Sequence, residues 1–461
     1  MRTGLGVQHF ISPMNSRPFP RAAKGEGVYI FDDNGKRYLD GSSGAVVSSL
    51  GHGNRRVGEA IKRQVDAISF AYARSWENRP DEALVEMLGE RCGGAFDSAF
   101  FLNGGSDAIE AAMKFARQLA MARGEAGRWK IISRLPSYHG ATFGALTITG
   151  DPVFSSMFEP MIVKMPKVPA PMVYRTPAGM TPDEYVDYCA DALEEKIIAE
   201  GPESVLAFFL EPVGGTSSGA LVSPGRYYQR VREICSRYGV LLIFDEVMSG
   251  VGRSGKFLAA HYWPNAQPDL VVLGKGLGAG YSPISAIVTS SALVNEIRSM
   301  GGFAHGHTYV ANPLGCAIGC AVLEELTERN LIAHGAEMGR YLMERLNALK
   351  SRHPMIGDVR GAGLQIAVEI VADPATKEAF PGELQAMERI KEHAMSAGLN
   401  LLYRRTGGGG FGEWFMICPP LIIQKHEVDE LVSLFSEALT AFERALGVGY
   451  EPSSRMKEEI R

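Results

Sequence analysis

Between about residues 80 and 320, six short apolar runs alternate with helix-like stretches. This alternation limits the possible folds more than any other feature of the chain. The runs cover 99–102, 129–133, 204–210, 240–244, 270–273 and 284–288. Strands and helices in strict alternation build a mostly parallel sheet covered by helices, so the reading is an α/β protein. Open sheets of this kind bind ligands at the carboxyl ends of their strands. Polar residues that directly follow the apolar runs are therefore the first candidates for chemistry.

Two of those residues suit one kind of cofactor. Asp245 closes the run 241–245, and Lys275 follows the run 270–273. A lysine amine can condense with a carbonyl cofactor, and a nearby acid can keep that cofactor's ring nitrogen protonated. Pyridoxal phosphate has both groups. Either residue alone is better read as part of a surface ion pair, but four further features favour the cofactor. Asn103-Gly104-Gly105-Ser106-Asp107 lies between an apolar strand and a helix whose apolar face is Ala108, Ile109, Ala111, Ala112, Phe115 and Ala116. Such a turn aims free N–H groups and the positive end of the helix dipole at an anion. It has neither a P-loop lysine nor a dinucleotide glycine pattern, and suits a single phosphate. A helix merely capped by Ser106 or Asp107 is the plainer reading of that turn. Tyr138-His139-Gly140 offers an aromatic that can stack on a ring, with a glycine that permits close backbone approach. Glu211 puts another acid at a strand end. His305, His307 and Thr308 share a loop; the histidines have no third ligand at metal-like spacing, and Thr308 can donate a hydroxyl to phosphate.

The rest of the chain frames this site. Segments 28–31 and 37–39 flank an Asp33-Asn34-Gly35-Lys36 turn and read as a hairpin, followed by a helix over about 56–68. The stretch 151–182 holds seven prolines and reads as irregular loop. After about 321 the pattern changes to α+β, with helices over 323–349, 383–397 and 426–445 and strands near 359, 364–370, 401 and 415. The expected division is an N-terminal part of a small domain over 1–70, a large domain over 71–320 and the rest of the small domain over 321–461. At 461 residues, 46% hydrophobic and 21% charged, the chain has the composition of a globular enzyme of two or three domains. A net charge of -5 with no long basic run gives no reason to expect nucleic acid or membrane as a partner. Six scattered cysteines without a CxxC pair read as buried thiols in a reducing compartment. No signal-like or membrane-length apolar run is seen, so a cytoplasmic location is expected.

Taken together, these motifs resemble the class III aminotransferases, a pyridoxal-phosphate family of ornithine, 4-aminobutyrate and ω-amino acid:pyruvate type. The resemblance runs over about 20–445. It rests on Tyr38-Leu39-Asp40-Gly41, Gly51-His52, Asn103 to Ser106, Tyr138-His139-Gly140, Glu211-Pro212-Val213, Asp245-Glu246-Val247, Gly252-Arg253-Ser254-Gly255, Lys275, Thr308-Tyr309 and Pro419-Pro420-Leu421, in family order. It implies transferase fold type I, in which a seven-stranded, mostly parallel sheet forms the large domain and the chain's two ends form the smaller one. It also implies a homodimer with active sites at the subunit interface, and leaves open whether dimers pair into tetramers. By resemblance, Gly105 and Ser106 bind phosphate, with His139 among the cofactor-binding residues. Tyr138 and Val247 cover the two ring faces, and Asp245 pairs with the ring nitrogen. Thr308 reaches the neighbouring subunit's cofactor, and Glu211 lies near the substrate.

The departures from the family pattern concern substrate. Met416 stands where ornithine- and 4-aminobutyrate-type enzymes carry arginine, and Met248 where the family has glutamine. Arg404 or Arg405, beside the glycines 407–410, is placed like the mobile arginine of amine:pyruvate enzymes, swinging in for a carboxylate and out for an apolar amine. Both facing solvent is the other possibility. Val46 replaces a tryptophan common in the early loop. The expected activity is ping-pong transfer of an amino group from a primary amine or ω-amino acid to pyruvate or 2-oxoglutarate, through pyridoxamine phosphate. Dialkylglycine decarboxylation, aminomutase and racemase chemistry on the same scaffold are the rivals, since fold and cofactor do not fix a reaction.

Overall fold

The computed structural model describes residues 19–404 and 410–447. Its central sheet has seven strands in the order Ser98–Leu102, Ser285–Thr289, Leu270–Leu273, Leu241–Asp245, Val205–Leu210, Lys130–Leu135 and Lys167–Pro169. The last five are parallel, and Ser285–Thr289 runs antiparallel to both of its neighbours. Six strands therefore deliver their carboxyl ends to one edge of the sheet.

The strands are apolar throughout because helices cover both faces. Phe208, Leu210, Leu242, Phe244, Val271 and Leu273 join the core on one side. Phe209, Leu241, Ile243, Leu270 and Val272 join the other, against Ala108, Ile109, Ala112 and Phe115 of the helix Gly105–Ala122. The alanines on that helix let its backbone approach the sheet closely, so its N-terminus is held rigidly at the ligand-binding edge.

All six expected runs are strands, with bounds shifted by no more than two residues. The seventh strand, Lys167–Pro169, lies inside the stretch read as loop, which also holds the short helix Pro152–Ser155. It is three residues long, pairs on one side only and ends in proline, so its sequence carries no strand signal. The helix expected over 323–349 is two helices, Pro313–Glu328 and Leu331–Ala348. They break at Asn330, which takes a left-handed φ of 51° that asparagine tolerates better than most residues.

Two four-stranded sheets complete the fold. Ala22–Glu26, Tyr29–Asp32 and Arg37–Asp40 form an antiparallel set, and Leu399–Asn400 adds to its edge in parallel. Early and late parts of the chain thus share one sheet. Ile356–Ala362, Gln365–Ile370, Trp414–Ile417 and Leu402–Tyr403 form the other, wholly antiparallel. Helices Ala386–Ala397 and Lys425–Gly447 pack on each other beside these sheets.

One buried charge in this region gives a test of the packing. Burial pushes the Lys391 ammonium down to about 7, and its Nζ donates to Asn400 Oδ1 at 2.5 Å. Below about 7 both folded and unfolded chains hold the proton, and the folded state carries the full desolvation cost. Above 10.5 neither holds it and the cost is gone. Lys391→Met is therefore expected to raise the melting temperature at pH 7 and to lose that advantage as pH climbs towards 10.5. A difference in melting temperature that stays constant across this window would contradict the assignment.

Candidate active site

The carboxyl edge of the central sheet opens into a cavity of about 560 Å³, of ordinary size for a small-molecule site. Gly105, Ser106, Tyr138, His139, Glu211, Asp245, Val247 and Lys275 all line it. They come from five strand ends that are separated by up to 170 residues of sequence.

Asp245 is the last residue of its strand and is only 5% exposed. Its Oδ2 lies 2.8 Å from His139 Nδ1, and its Oδ1 accepts the Val247 N–H at 3.1 Å. The carboxylate is thus aimed by two contacts. His139 is buried, and its Nε2 has no partner among the described residues. Lys275 starts a 3₁₀ turn with φ of 39°, a left-handed conformation that a non-glycine residue adopts at a cost. Burial pushes its amine below the usual lysine range, while Asp245 and Glu211 act in the opposite sense. Strain and desolvation at one lysine mark a functional position better than a structural one.

Glu211 Oε1 accepts the Gly215 N–H at 2.8 Å, and its Oε2 accepts the Tyr138 N–H at 3.3 Å. Burial raises its pKa, with nearby His139 and Arg134 opposing. Tyr138 is half-buried, and its ring meets Phe154 edge-on at 4.9 Å between centroids. The glycine turn is closely packed. A Cβ on Gly105 would stand 2.9 Å from Val247 Cγ1, and one on Gly140 (φ 151°) would stand 2.7 Å from Ser106 Oγ. Only bare backbone fits there, which leaves peptide N–H groups and the Ser106 hydroxyl as the local donors. Ser106 Oγ also accepts the Ala141 N–H at 2.9 Å. Asp107 caps the helix by accepting the Gly104 N–H at 3.2 Å.

The remaining expected residues fall differently. Val46 is 1% exposed and packs with Met172, Trp414 and Met416; its neighbour Ala45 faces the cavity instead. Val46, a candidate for substrate contact from its place in the early loop, thus has its side chain in the core of this chain, with a φ of 63°. Thr308 is exposed on a turn and does not line this cavity. Arg405 lies outside the described residues. Arg404 does line the cavity, but it is buried rather than facing solvent. Its Nη1 and Nη2 bind Asp151 Oδ2 and Oδ1 at 2.5 and 3.0 Å, and Nη1 also donates to the Ser217 carbonyl at 2.8 Å.

Sequence reading missed several contributors. Val153, Phe154, Thr216, Leu402 and Tyr403 form much of the wall, together with Met248. Arg134 is fully buried behind Glu211, where it donates to the Glu211 carbonyl oxygen. Glu246 is buried and accepts the Ala259 and Ala260 N–H groups, which ties the next loop to the strand end. Asp151, also unassigned from the sequence, carried one local signal, an Asp-Pro helix start that says nothing about Arg404.

Comparison with known proteins agrees with this geometry. The family model described as aminotransferase class-III matches residues 11–439. The chain is 38% identical over 440 residues to YodT, an uncharacterized aminotransferase of Bacillus subtilis (strain 168), covering 95% of this chain and 99% of that one. It is 34% identical over 432 residues to the diaminobutyrate–2-oxoglutarate transaminase of Halomonas elongata, covering 92% and 90%. Among solved structures, the ω-transaminase of Pseudomonas jessenii in complex with PMP superposes with a TM-score of 0.87 at 32% identity, covering 93% of this chain and 94% of that one. With a family match over nearly its whole length and a cavity edged by a lysine, a buried acid and a glycine cradle, the chain belongs to the class III aminotransferases, enzymes of transferase fold type I that depend on pyridoxal phosphate.

Proposed function

We propose that this enzyme moves the amino group of a primary amine or ω-amino acid onto a 2-oxo acid, with Lys275 as the residue that carries both cofactor and proton. The observation that supports it most is the convergence of Lys275, Asp245, Glu211, Tyr138 and Ser106 on one cavity from separate strand ends. Pyridoxal phosphate fits the residues present. Gly105, Ser106 and the start of the helix Gly105–Ala122 would hold its phosphate. Tyr138 and Val247 would flank its ring, and Asp245 would meet the ring nitrogen. Bound there, the cofactor supplies an aldehyde for the amino group and a protonated ring that draws electrons from the substrate carbon.

The chain's own residues do the rest. His139 holds Asp245 in its orientation, so that the carboxylate stays aimed at the ring position. Lys275, made less basic by burial, can take a proton from the substrate carbon and return it one position away. Glu211 lies at the same cavity wall and is the acid nearest the substrate in this reading. In a homodimer, Thr308, exposed on its turn, would serve a second subunit's site. Of the two arginines, Arg404 is paired with Asp151, which makes Arg405 the candidate for meeting a substrate carboxylate. The division at about 70 and 320 and a cytoplasmic location belong to the same reading.

The test is to add single amines to the cofactor-loaded enzyme with no oxo acid present and follow the cofactor's absorbance. Conversion by one donor, reversed by pyruvate or 2-oxoglutarate, supports amino transfer and identifies the donor class. Release of carbon dioxide and a ketone from a dialkylglycine, with no conversion by donors that lack a carboxylate on the reacting carbon, would move the enzyme to decarboxylation.

A further inference from the structure

Building on the amino-transfer reading, we infer that Asp151 is a specificity-determining residue that neutralises Arg404 and so biases the enzyme against substrates with a second carboxylate. Arg404 is anchored through its backbone, both Nη atoms and the face of its guanidinium. Its backbone N–H donates to the Trp414 carbonyl at 2.9 Å, directly after the strand Leu402–Tyr403. Its guanidinium stacks 5.3 Å from the Trp414 ring centre and 5.9 Å from that of Phe411. Its two Nη atoms form a bidentate pair with Asp151, and the Ser217 carbonyl accepts from Nη1.

Asp151 is fixed just as firmly. It precedes the helix Pro152–Ser155, and its Oδ1 also accepts the Val153 N–H at 3.2 Å. The side-chain exposures of the pair are 5% for the arginine and 0% for the aspartate. Swinging Arg404 outward would strand a fully buried carboxylate without a counter-charge, which is among the most costly changes a folded protein can make. The geometry favours an arginine that stays where it is.

The charge balance of the cavity then follows. Among the described residues that line it, the cations are Lys275 and Arg404 and the acids are Asp151, Glu211 and Asp245. Lys275 is committed to the cofactor, Asp245 to the ring nitrogen, and Arg404 to Asp151. Among the described residues, what remains for the far end of a substrate is Glu211 and a wall of Ala45, Val153, Phe154, Met248, Leu402 and Tyr403. Such a surface favours a neutral or cationic tail over the second carboxylate of a 2-oxo diacid. The residue that sets this balance is Asp151, a positioning partner that acts through Arg404.

The experiment compares kcat/KM for pyruvate and 2-oxoglutarate with one fixed donor. Wild type is expected to favour pyruvate by about tenfold or more, a span ordinary for differential charge recognition in a pocket. Asp151→Asn keeps the shape but releases the arginine's charge, and should shift the ratio towards 2-oxoglutarate by about tenfold. Asp151→Glu keeps the charge and should restore the wild-type preference. A purely structural role would lower both rates together and leave the ratio unchanged. A wild type that favours 2-oxoglutarate, or an Asp151→Asn ratio within about twofold of wild type, would overturn the inference. Should Asp151→Asn fail to fold, inhibition of the wild type by butyrate and glutarate reads the same balance, and tighter inhibition by glutarate would also overturn it. Transfer to neither acid would bring down the amino-transfer reading itself, which the donor experiment above tests separately.

Discussion

Lys275→Ala is expected to lower turnover by at least about a thousandfold, the loss typical of removing a group that both binds covalently and moves the proton. The same change is expected to leave the melting temperature of the cofactor-free protein unchanged or raised. The second half of this prediction follows from how the wild-type lysine is held. Its backbone has φ of 39°, and its amine is pushed below the ordinary range by burial. Both are costs the folded chain carries for function, and alanine removes the second while leaving the first as it was. Lys275→Gly would remove both and should melt higher still. Borohydride reduction should fix the cofactor to the wild-type chain and not to either variant. A Lys275→Ala enzyme that keeps activity within tenfold of wild type would remove Lys275 from the chemistry.

Why was so much of this site readable from the chain alone? The residues concerned sit directly after strands whose apolar runs are unmistakable. Asp245, Lys275 and Glu211 each follow four to six consecutive apolar residues, and parallel topology obliges those ends to gather on one edge. The signal is local, and the fold converts it into proximity. Asp151 and Arg404 show the opposite case. They are 253 residues apart, one in a stretch that reads as loop and the other at the end of a two-residue strand. No periodicity places them together, because their meeting depends on how the late antiparallel sheet docks against the carboxyl edge of the central one. Val46 is a different case. Ser43–Val46 contains non-helical angles at Gly44 and Ala45 and a positive φ at Val46, so the direction of each side chain cannot follow from a regular repeat. Arg134 was passed over, and Glu246 named only within its motif, because buried charges look like surface charges in a sequence. Only the structure shows that they bind strand-end carbonyl and loop N–H groups.

Asp245→Ala tests the other half of the site and should cost on the order of a thousandfold in kcat, comparable to removing one preorganised charge at a reacting centre. Two effects combine in that loss. The cofactor's ring nitrogen would no longer face a carboxylate, so its protonated form would lose the charge that sustains it. His139 would also lose the partner of its Nδ1, in a position where its Nε2 already lacks one among the described residues, and the ring would be free to turn. Asp245→Asn separates these effects. The amide can still occupy the space and bond His139, but it carries no charge. If the charge matters most, Asn and Ala should be about equally inactive; if orientation of His139 matters most, Asn should recover much of the rate. The residues around Asp245 favour the first outcome. The carboxylate is held by a backbone N–H from Val247 as well as by His139, so its position does not depend on the histidine alone. Both variants should still bind the cofactor through Lys275, which borohydride fixation would report, and a wild-type rate in either would exclude Asp245 as the source of the ring's electron demand.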